Sequence, residues 1–291
     1  MFLKKYRNYL LLHLIVFIWG FTAILGKQIS LAAIHLVWYR IIIANVGIFI
    51  YLKFRKTSLK ISLTDFFKFS GVGILIAFHW ICFYQAIKVS NISVTLACFS
   101  SGALFTAFIE PLFFRRKISR MEVFFGFIVL LVIGMIFKIE IKYKLGIILS
   151  LLSALGSALF SVLNGLLARG RDSKIISFYE LLAGFLGITV YFLFDGQLTG
   201  SMLIISTSDF LLLSILGIIC TAFPFIVALD IMKEISPYTV NLTVNLESVY
   251  GIILAFLIFG EDEKMTTGFY IGTAVIFITV FANAVLKRRK K

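Results

Sequence analysis

The feature that most constrains this chain is a succession of ten long, almost uncharged apolar runs joined by short connections. A bilayer's hydrocarbon core is about 30 Å thick, and a helix needs about 20 mostly apolar residues to cross it. Runs near 9–28, 33–52, 69–87, 94–114, 121–138, 145–167, 175–194, 210–231, 239–259 and 268–286 approach or reach that length. The chain is 60% hydrophobic and 14% charged, with a mean hydropathy of +1.03. A soluble domain is about half apolar and a quarter charged. So much apolar surface, 32 Phe included, fits lipid as the solvent. The expected fold class is an all-α membrane protein of about ten transmembrane helices, with no room between spans for a soluble catalytic domain.

The formal net charge is +14. Its distribution speaks against a nucleic-acid partner, because Lys and Arg fall in short clusters between uncharged runs and no nucleic-acid motif is present. With the N-terminus cytoplasmic, 21 of the 28 Lys and Arg fall in cytoplasmic segments, 6 fall outside, and Arg40 lies within a span. The positive-inside rule then places both termini in the cytoplasm. The cation clusters face anionic lipid headgroups on that side. Lys138, Lys142 and Lys144 form a local exception, offset partly by Glu140. The expected location is the plasma membrane (a bacterial inner membrane). Lys4, Lys5 and Arg7 precede an apolar run in the manner of a signal peptide, but that run exceeds a 7–15-residue apolar region and serves as the first span. Cys82, Cys98 and Cys220 lie inside apolar runs. Their odd number and spacing suit small buried hydrophobes rather than disulfides or metal ligands.

The chain repeats weakly. Trp38-Tyr39-Arg40 opens the second span and Phe178-Tyr179-Glu180 the seventh; Asn91-Ile92-Ser93 precedes the fourth and Ser236-Pro237-Tyr238 the ninth. Two five-span units are expected, at 1–142 and 143–291. Five is odd, so the second unit is inverted relative to the first. Inverted repeats are a mark of secondary transporters, with the solute site near mid-membrane at the repeat interface.

Several short motifs keep their order through both halves: Trp19-Gly20, Lys27, Arg40 and Tyr84-Gln85-Ala86-Ile87-Lys88-Val89-Ser90, then Ala228-Leu229, Ile235-Ser236-Pro237, Leu246-Glu247-Ser248-Val249-Tyr250 and Phe259-Gly260-Glu261. In these residues the chain resembles the ten-helix EamA-type members of the drug/metabolite transporter superfamily. The resemblance implies transport, mostly export, of small polar metabolites, amino acids or toxic compounds, with no cofactor. The chain departs from that pattern at Ser248, where the family has Pro, and near Gly102-Ala103, which also lacks it. The Glu that usually closes the fourth helix is replaced in the Arg115-Arg116-Lys117 cluster.

Ionisable side chains in hydrocarbon cost about 2.5–3.5 kcal/mol each on the insertion scale, so they mark candidate sites. They are Arg40, His79, Glu110, Glu180 and Glu247, with Asn241 and Asn245 as uncharged companions. Counted from the expected spans, His79 sits roughly 15 Å and Glu247 roughly 12 Å from the cytoplasmic helix ends. These two are the expected polar centre, one from each half. Facing each other, they would suit a proton-coupled cycle, and facilitated passage fits equally well. Arg40 is near enough to its helix end to snorkel outward. Glu110 and Glu180, near cytoplasmic helix ends, are expected to be hydrated or paired with Arg. Trp19, Trp80, Tyr84 and Tyr250 are the aromatic candidates; Trp80 with Tyr84, and Glu247 with Tyr250, share helix faces by spacing. The expected solute-binding set is His79, Glu247, Tyr84, Tyr250, Asn245, Trp19, Trp80 and Arg40, with no catalytic or metal residue. Ser150, Ser153, Ser157 and Ser161 read as a small-residue seam for close helix approach.

The leading functional expectation is a secondary transporter with a small-molecule substrate. ATP-driven transport lacks its G-x-x-x-x-G-K-[ST] loop. A membrane-embedded enzyme acting on lipid-linked substrates is the alternative, but the sequence holds neither H-E-x-x-H nor G-x-S-x-G. His13, His35 and His79 are far apart.

Overall fold

The computed structural model describes residues 2–115, 117–118 and 120–289. Of the cations counted above, Arg116, Lys290 and Lys291 lie outside the described residues, as do the side chains of Lys4, Lys5, Lys287, Arg288 and Arg289. The described chain is all helical. Helix α1 comprises Phe2–Trp19 and Thr22–Gln28. It is followed by α2 (Ala33–Phe54), α3 (Leu63–Val89), α4 (Ile92–Phe99 and Gly102–Phe113) and α5 (Arg120–Ile139). The second half holds α6 (Lys144–Leu167), α7 (Ser173–Phe194), α8 (Thr207–Met232), α9 (Pro237–Phe259) and α10 (Thr267–Arg289). Eight of these segments are long and apolar enough to span a membrane. The other two, α5 and α10, carry shorter apolar stretches, Val123–Ile139 and Thr267–Thr279.

The helix starts show the repeat more clearly than the motifs do. Ser62 accepts a bond from the Asp65 amide at 3.0 Å, and Ser206 accepts one from the Asp209 amide, also at 3.0 Å. These are matching N-caps for α3 and α8, each satisfying an amide that has no partner within the helix. Asn91 caps α4 through the Val94 amide at 2.8 Å, and Ser236 caps α9 through the Thr239 amide at 3.3 Å. Packing follows the same exchange. Helix α1 lies against α8 and α9, and its counterpart α6 lies against α3 and α4. Helix α2 contacts α7 and α8, α7 contacts α2 and α3, and α5 pairs with α10. With five helices in each half, the second crosses the bundle in the opposite sense to the first.

Helices α3 and α7 approach closely at two glycines. A Cβ on Gly73 would overlap the Glu180 carbonyl oxygen, and one on Gly184 would sit 2.9 Å from the Gly73 carbonyl. Backbone cannot move aside as a flexible side chain can. Gly73→Ala is therefore expected to force the two helices apart and destabilise the bundle by about 1–3 kcal/mol. Thermal denaturation in detergent measures this; an unshifted midpoint would show that the crossing is looser than described.

Three helices are interrupted. In α1, Gly20 and Phe21 form a turn, and a Cβ on Gly20 would meet Tyr250 of α9 at 3.0 Å. In α4, Ser100 and Ser101 break the helix and bond back to the Ala97 and Cys98 carbonyls at 2.5 and 2.7 Å. In α8, Ile215–Ala222 is π-helical. Pro224 follows it. Proline has no N–H for a bond to Cys220 and its ring clashes with the carbonyl four residues back. Within the wider turn Thr221 Oγ1 donates to the Leu216 carbonyl at 2.6 Å.

The end of the bundle opposite the chain termini is tied between halves by buried polar groups. Glu263 is fully buried. It accepts from Lys27 Nζ at 2.7 Å, from the Ile92 and Ser93 amides at 3.1 and 2.9 Å, and from Ser93 Oγ at 3.0 Å. It thus binds the N-terminus of α4, where orphan amides and the helix dipole favour a carboxylate. Asp209 accepts from Ser30 N and Oγ at 2.9 and 2.5 Å, and Thr266 donates to Glu140 at 2.7 Å. At the terminal end, Glu110 accepts from the Tyr238 amide at the start of α9, at 3.1 Å. Glu110 and Glu263 are therefore pseudo-symmetric capping carboxylates, each holding the other half's helix start.

Candidate functional site

A cavity of about 80 Å³ lies between the halves. Seven helices line it: α1, α2, α3, α4, α6, α8 and α9. Its lining residues come from the middle of α1 and α3, the later turns of α6 and α8 and the early turns of α9, so it runs from mid-bundle toward the terminal end. The interrupted stretches of α1, α4 and α8 border it through Trp19 and Thr22, Phe99, and Cys220 and Thr221. Broken helices and π-segments recur at such sites because they free backbone and side-chain groups from helical pairing.

Arg40 is 2% exposed and turns into the bundle. It does not snorkel outward, because two hydroxyls and a ring face hold it within. Its Nε donates to Thr221 Oγ1 at 2.6 Å and its Nη1 to Tyr84 Oη at 2.7 Å. Its guanidinium lies 4.1 Å from the centre of the Trp80 ring, a cation–π contact. Among the described residues no carboxylate lies within ion-pair distance of it. Glu247, on α9, receives one long bond from Thr22 Oγ1, at 3.5 Å.

His79 is held by α6. Its Nδ1 lies 2.9 Å from both the carbonyl oxygen and the hydroxyl of Ser153. A carbonyl only accepts, so pairing with it places the ring proton on Nδ1 and leaves Nε2 as an acceptor. The rings of Phe99 and Phe160 pack about His79 with centroids at 5.5 and 5.4 Å. The serines of α6 divide between seam and cavity. A Cβ on Gly156 would sit 3.3 Å from the His79 Cβ, so α6 runs close to α3, while Ser157 and Ser161 line the cavity.

Of the eight expected site residues, the structure brings five together around the cavity: Trp19, Arg40, His79, Trp80 and Glu247. Tyr84 is fully buried behind them, holding Arg40, with its ring where a Cβ on Gly26 would fall. Tyr250 packs instead on α1, 5.5 Å from the Phe17 ring centre. Asn245 is buried off the cavity, its Nδ2 without a hydrogen-bond partner among the described residues. His79 and Glu247 share the cavity, but no hydrogen bond joins them among the described residues. Helix α3 begins at Leu63, so His79 is about 24 Å along it, whereas Glu247 is about 15 Å along α9. Glu180 has no Arg partner among the described residues. It is 0% exposed and accepts from Asn164 Nδ2 at 3.2 Å.

Sequence reasoning missed Thr22, Asn164 and Thr221, which line the cavity beside Asn241. A signal for Thr22 was present in Gly20, since a small residue breaking an apolar run marks a freed turn. For Thr221 the signal was Pro224, three residues on.

Cys220 lines the cavity, whereas Cys82 and Cys98 do not. A small water-soluble methanethiosulfonate is expected to label Cys220 at least about tenfold faster than the other two, as read by peptide mass. Equal labelling of all three would show that water does not reach the cavity selectively.

No curated protein matches the chain. A solved structure titled "Crystal structure of protein" superposes on it with a TM-score of 0.70 at 14% identity, covering 97% of this chain and 99% of that one. That likeness speaks to the fold. The description "EamA-like transporter family" matches twice, over residues 7–138 and 144–285. Two consecutive matches, one to each half of the bundle and together spanning most of the sequence, establish that this chain is a membrane protein of the EamA-like transporter family, within the drug/metabolite transporter superfamily.

Proposed function

We propose that the protein is a secondary transporter that exports small polar metabolites, such as amino acids or related organic solutes, by alternating access. The observation that carries this reading is the cavity between the halves, walled by seven helices and holding Arg40, His79 and Glu247. Ionisable groups at membrane depth mark solute or ion pathways. The moving units on this reading are residues 1–142 and 143–291. The family is one of transporters, which sets aside the enzyme alternative. Orientation follows from the cation bias: both termini are cytoplasmic, in the plasma membrane, with the basic clusters against anionic headgroups. The cavity then leans toward the cytoplasm, and the Glu263 network closes the outer side.

The test is flux into proteoliposomes without nucleotide. Movement of a labelled solute, saturable and dependent on the protein, is expected; lipid turnover without solute movement would overturn the reading. Repeating the flux with an imposed proton gradient separates proton coupling from facilitated passage. For orientation, a reporter active only outside the cytoplasm and fused after Lys291 is expected to give no signal. A strong signal would reverse the topology.

A further inference from the structure

We propose that Arg40 anchors an oxyanion, a carboxylate or a phosphate, on the transported solute. The inference rests on the transporter reading above and narrows its substrate class. A guanidinium keeps its proton in a protein and carries five N–H donors. Two of these are used here, by Thr221 Oγ1 and Tyr84 Oη. Three remain: one on Nη1 and both on Nη2. The groups bonded to Arg40 among the described residues are neutral, namely two hydroxyls and the Trp80 ring. These fix the direction of the guanidinium without balancing its charge. Glu247 interacts with the guanidinium through space but does not bond to it, and a charge nearly withdrawn from water with no counter-charge bonded to it is costly. The free Nη1 and Nη2 donors form the edge that receives carboxylate or phosphate oxygens two at a time. Arg40 is 2% exposed and lines the cavity, so a solute held there meets that edge.

The rest of the lining says what accompanies the oxyanion. Trp80, Phe83, Phe99, Phe160 and Phe225 give the cavity an aromatic wall for an apolar body. Glu247 shares the space, and an oxyanion beside an ionised carboxylate is repelled. The load is therefore neutral overall. Either the solute brings its own ammonium group to Glu247, or a proton on Glu247 accompanies the oxyanion. His79 and Cys220 are the other ionisable side chains lining the cavity, with the Tyr84 hydroxyl on Arg40 behind it; the Nδ1 of His79 is already committed to Ser153. Organic cations without an oxyanion are excluded as good substrates.

The experiment is direct binding to the full chain in detergent, read by tryptophan fluorescence, since Trp19 and Trp80 line the cavity. The probes are 3-phenylpropionate, its amide, 3-phenylpropylamine, phenyl phosphate and phenylalanine. At least one oxyanion probe is expected to bind tenfold or more tighter than the amide and the amine. Carboxylate against phosphate identifies the oxyanion, and phenylalanine against 3-phenylpropionate shows whether the solute supplies the ammonium. Arg40→Gln is expected to lose that binding tenfold or more, with Arg40→Lys in between because charge remains without the fork. If Arg40→Gln does not fold, the wild-type panel and Arg40→Lys still decide. Amide or amine binding as tight as the oxyanions, or no saturable oxyanion binding, overturns the proposal. Flux of oxyanion-free solutes in proteoliposomes would overturn it while leaving the transporter reading intact. Oxyanion binding with no flux of any solute would do the reverse.

Discussion

Replacing Glu247 by Gln is expected to reduce solute flux at least about tenfold while leaving the amount of folded protein close to wild type. The contrast follows from how little the fold uses this side chain. Glu247 is 7% exposed. Its one hydrogen bond is the 3.5 Å contact from Thr22, at the long limit of such a bond. Gln preserves the shape and can still accept from Thr22, so no buried donor is orphaned. What it removes is the only carboxylate lining the cavity among the described residues. His79→Ala should behave differently. His79 ties α3 to Ser153 of α6 and fills space among Phe99 and Phe160. Its truncation costs both a hydrogen bond and packing, so yield and flux should fall together. Flux assays normalised to folded protein, by size-exclusion profile and reconstituted amount, separate the cases. Full flux in Glu247→Gln at every pH would remove Glu247 from the transport site and move attention to Arg40 and Trp19.

Glu263→Ala is expected to have the opposite profile: a stability loss of at least about 3 kcal/mol, from about 1–3 kcal/mol for each buried donor left unsatisfied. Four donors converge on this carboxylate, two of them backbone amides of α4 that have no other helical partner. Alanine leaves those amides and Ser93 buried and unsatisfied. Lys27 has 25% of its side chain exposed and can turn to solvent, so it contributes least to the loss. Glu263→Gln keeps one acceptor and should lose roughly half as much. Because this network joins the end of α9 to the starts of α4 and the end of α1, weakening it should also favour opening at that end. The measurements are thermal denaturation in detergent and the labelling rate of a cysteine placed at Ser93. A midpoint within about a degree of wild type, with unchanged labelling, would show that the network neither stabilises nor closes this end.

How much of this was legible in the sequence depends on which physical property a residue reports. Hydropathy reports partition between water and lipid, and so the ten apolar runs could be read directly. The clustered cations pointed to an orientation, and the paired motifs at Arg40 and Glu180 exposed the repeat. The missing charges that mark Arg40, His79 and Glu247 as exceptional were equally visible, because an ionisable side chain in hydrocarbon carries its cost whatever its neighbours are.

Direction is what tertiary structure decided. In a soluble helix the polar face points outward and the apolar face inward, so the sequence shows which is which. In lipid both faces are apolar, and nothing in the sequence separates a ring facing acyl chains from one facing a cavity. Tyr84 and Tyr250 were indistinguishable as candidates, yet one holds Arg40 behind the cavity and the other packs on Phe17. Arg40 turned inward because Thr221, freed by a π-turn of α8, stands within 2.6 Å of it. Glu263 became a helix cap because the second half delivers it to amides of the first. Composition determined that this chain lives in a membrane, and the paired motifs with an odd span count per unit that it does so as two inverted halves. Contacts between residues at least 170 positions apart decided which of its polar groups close the bundle and which face the space inside it.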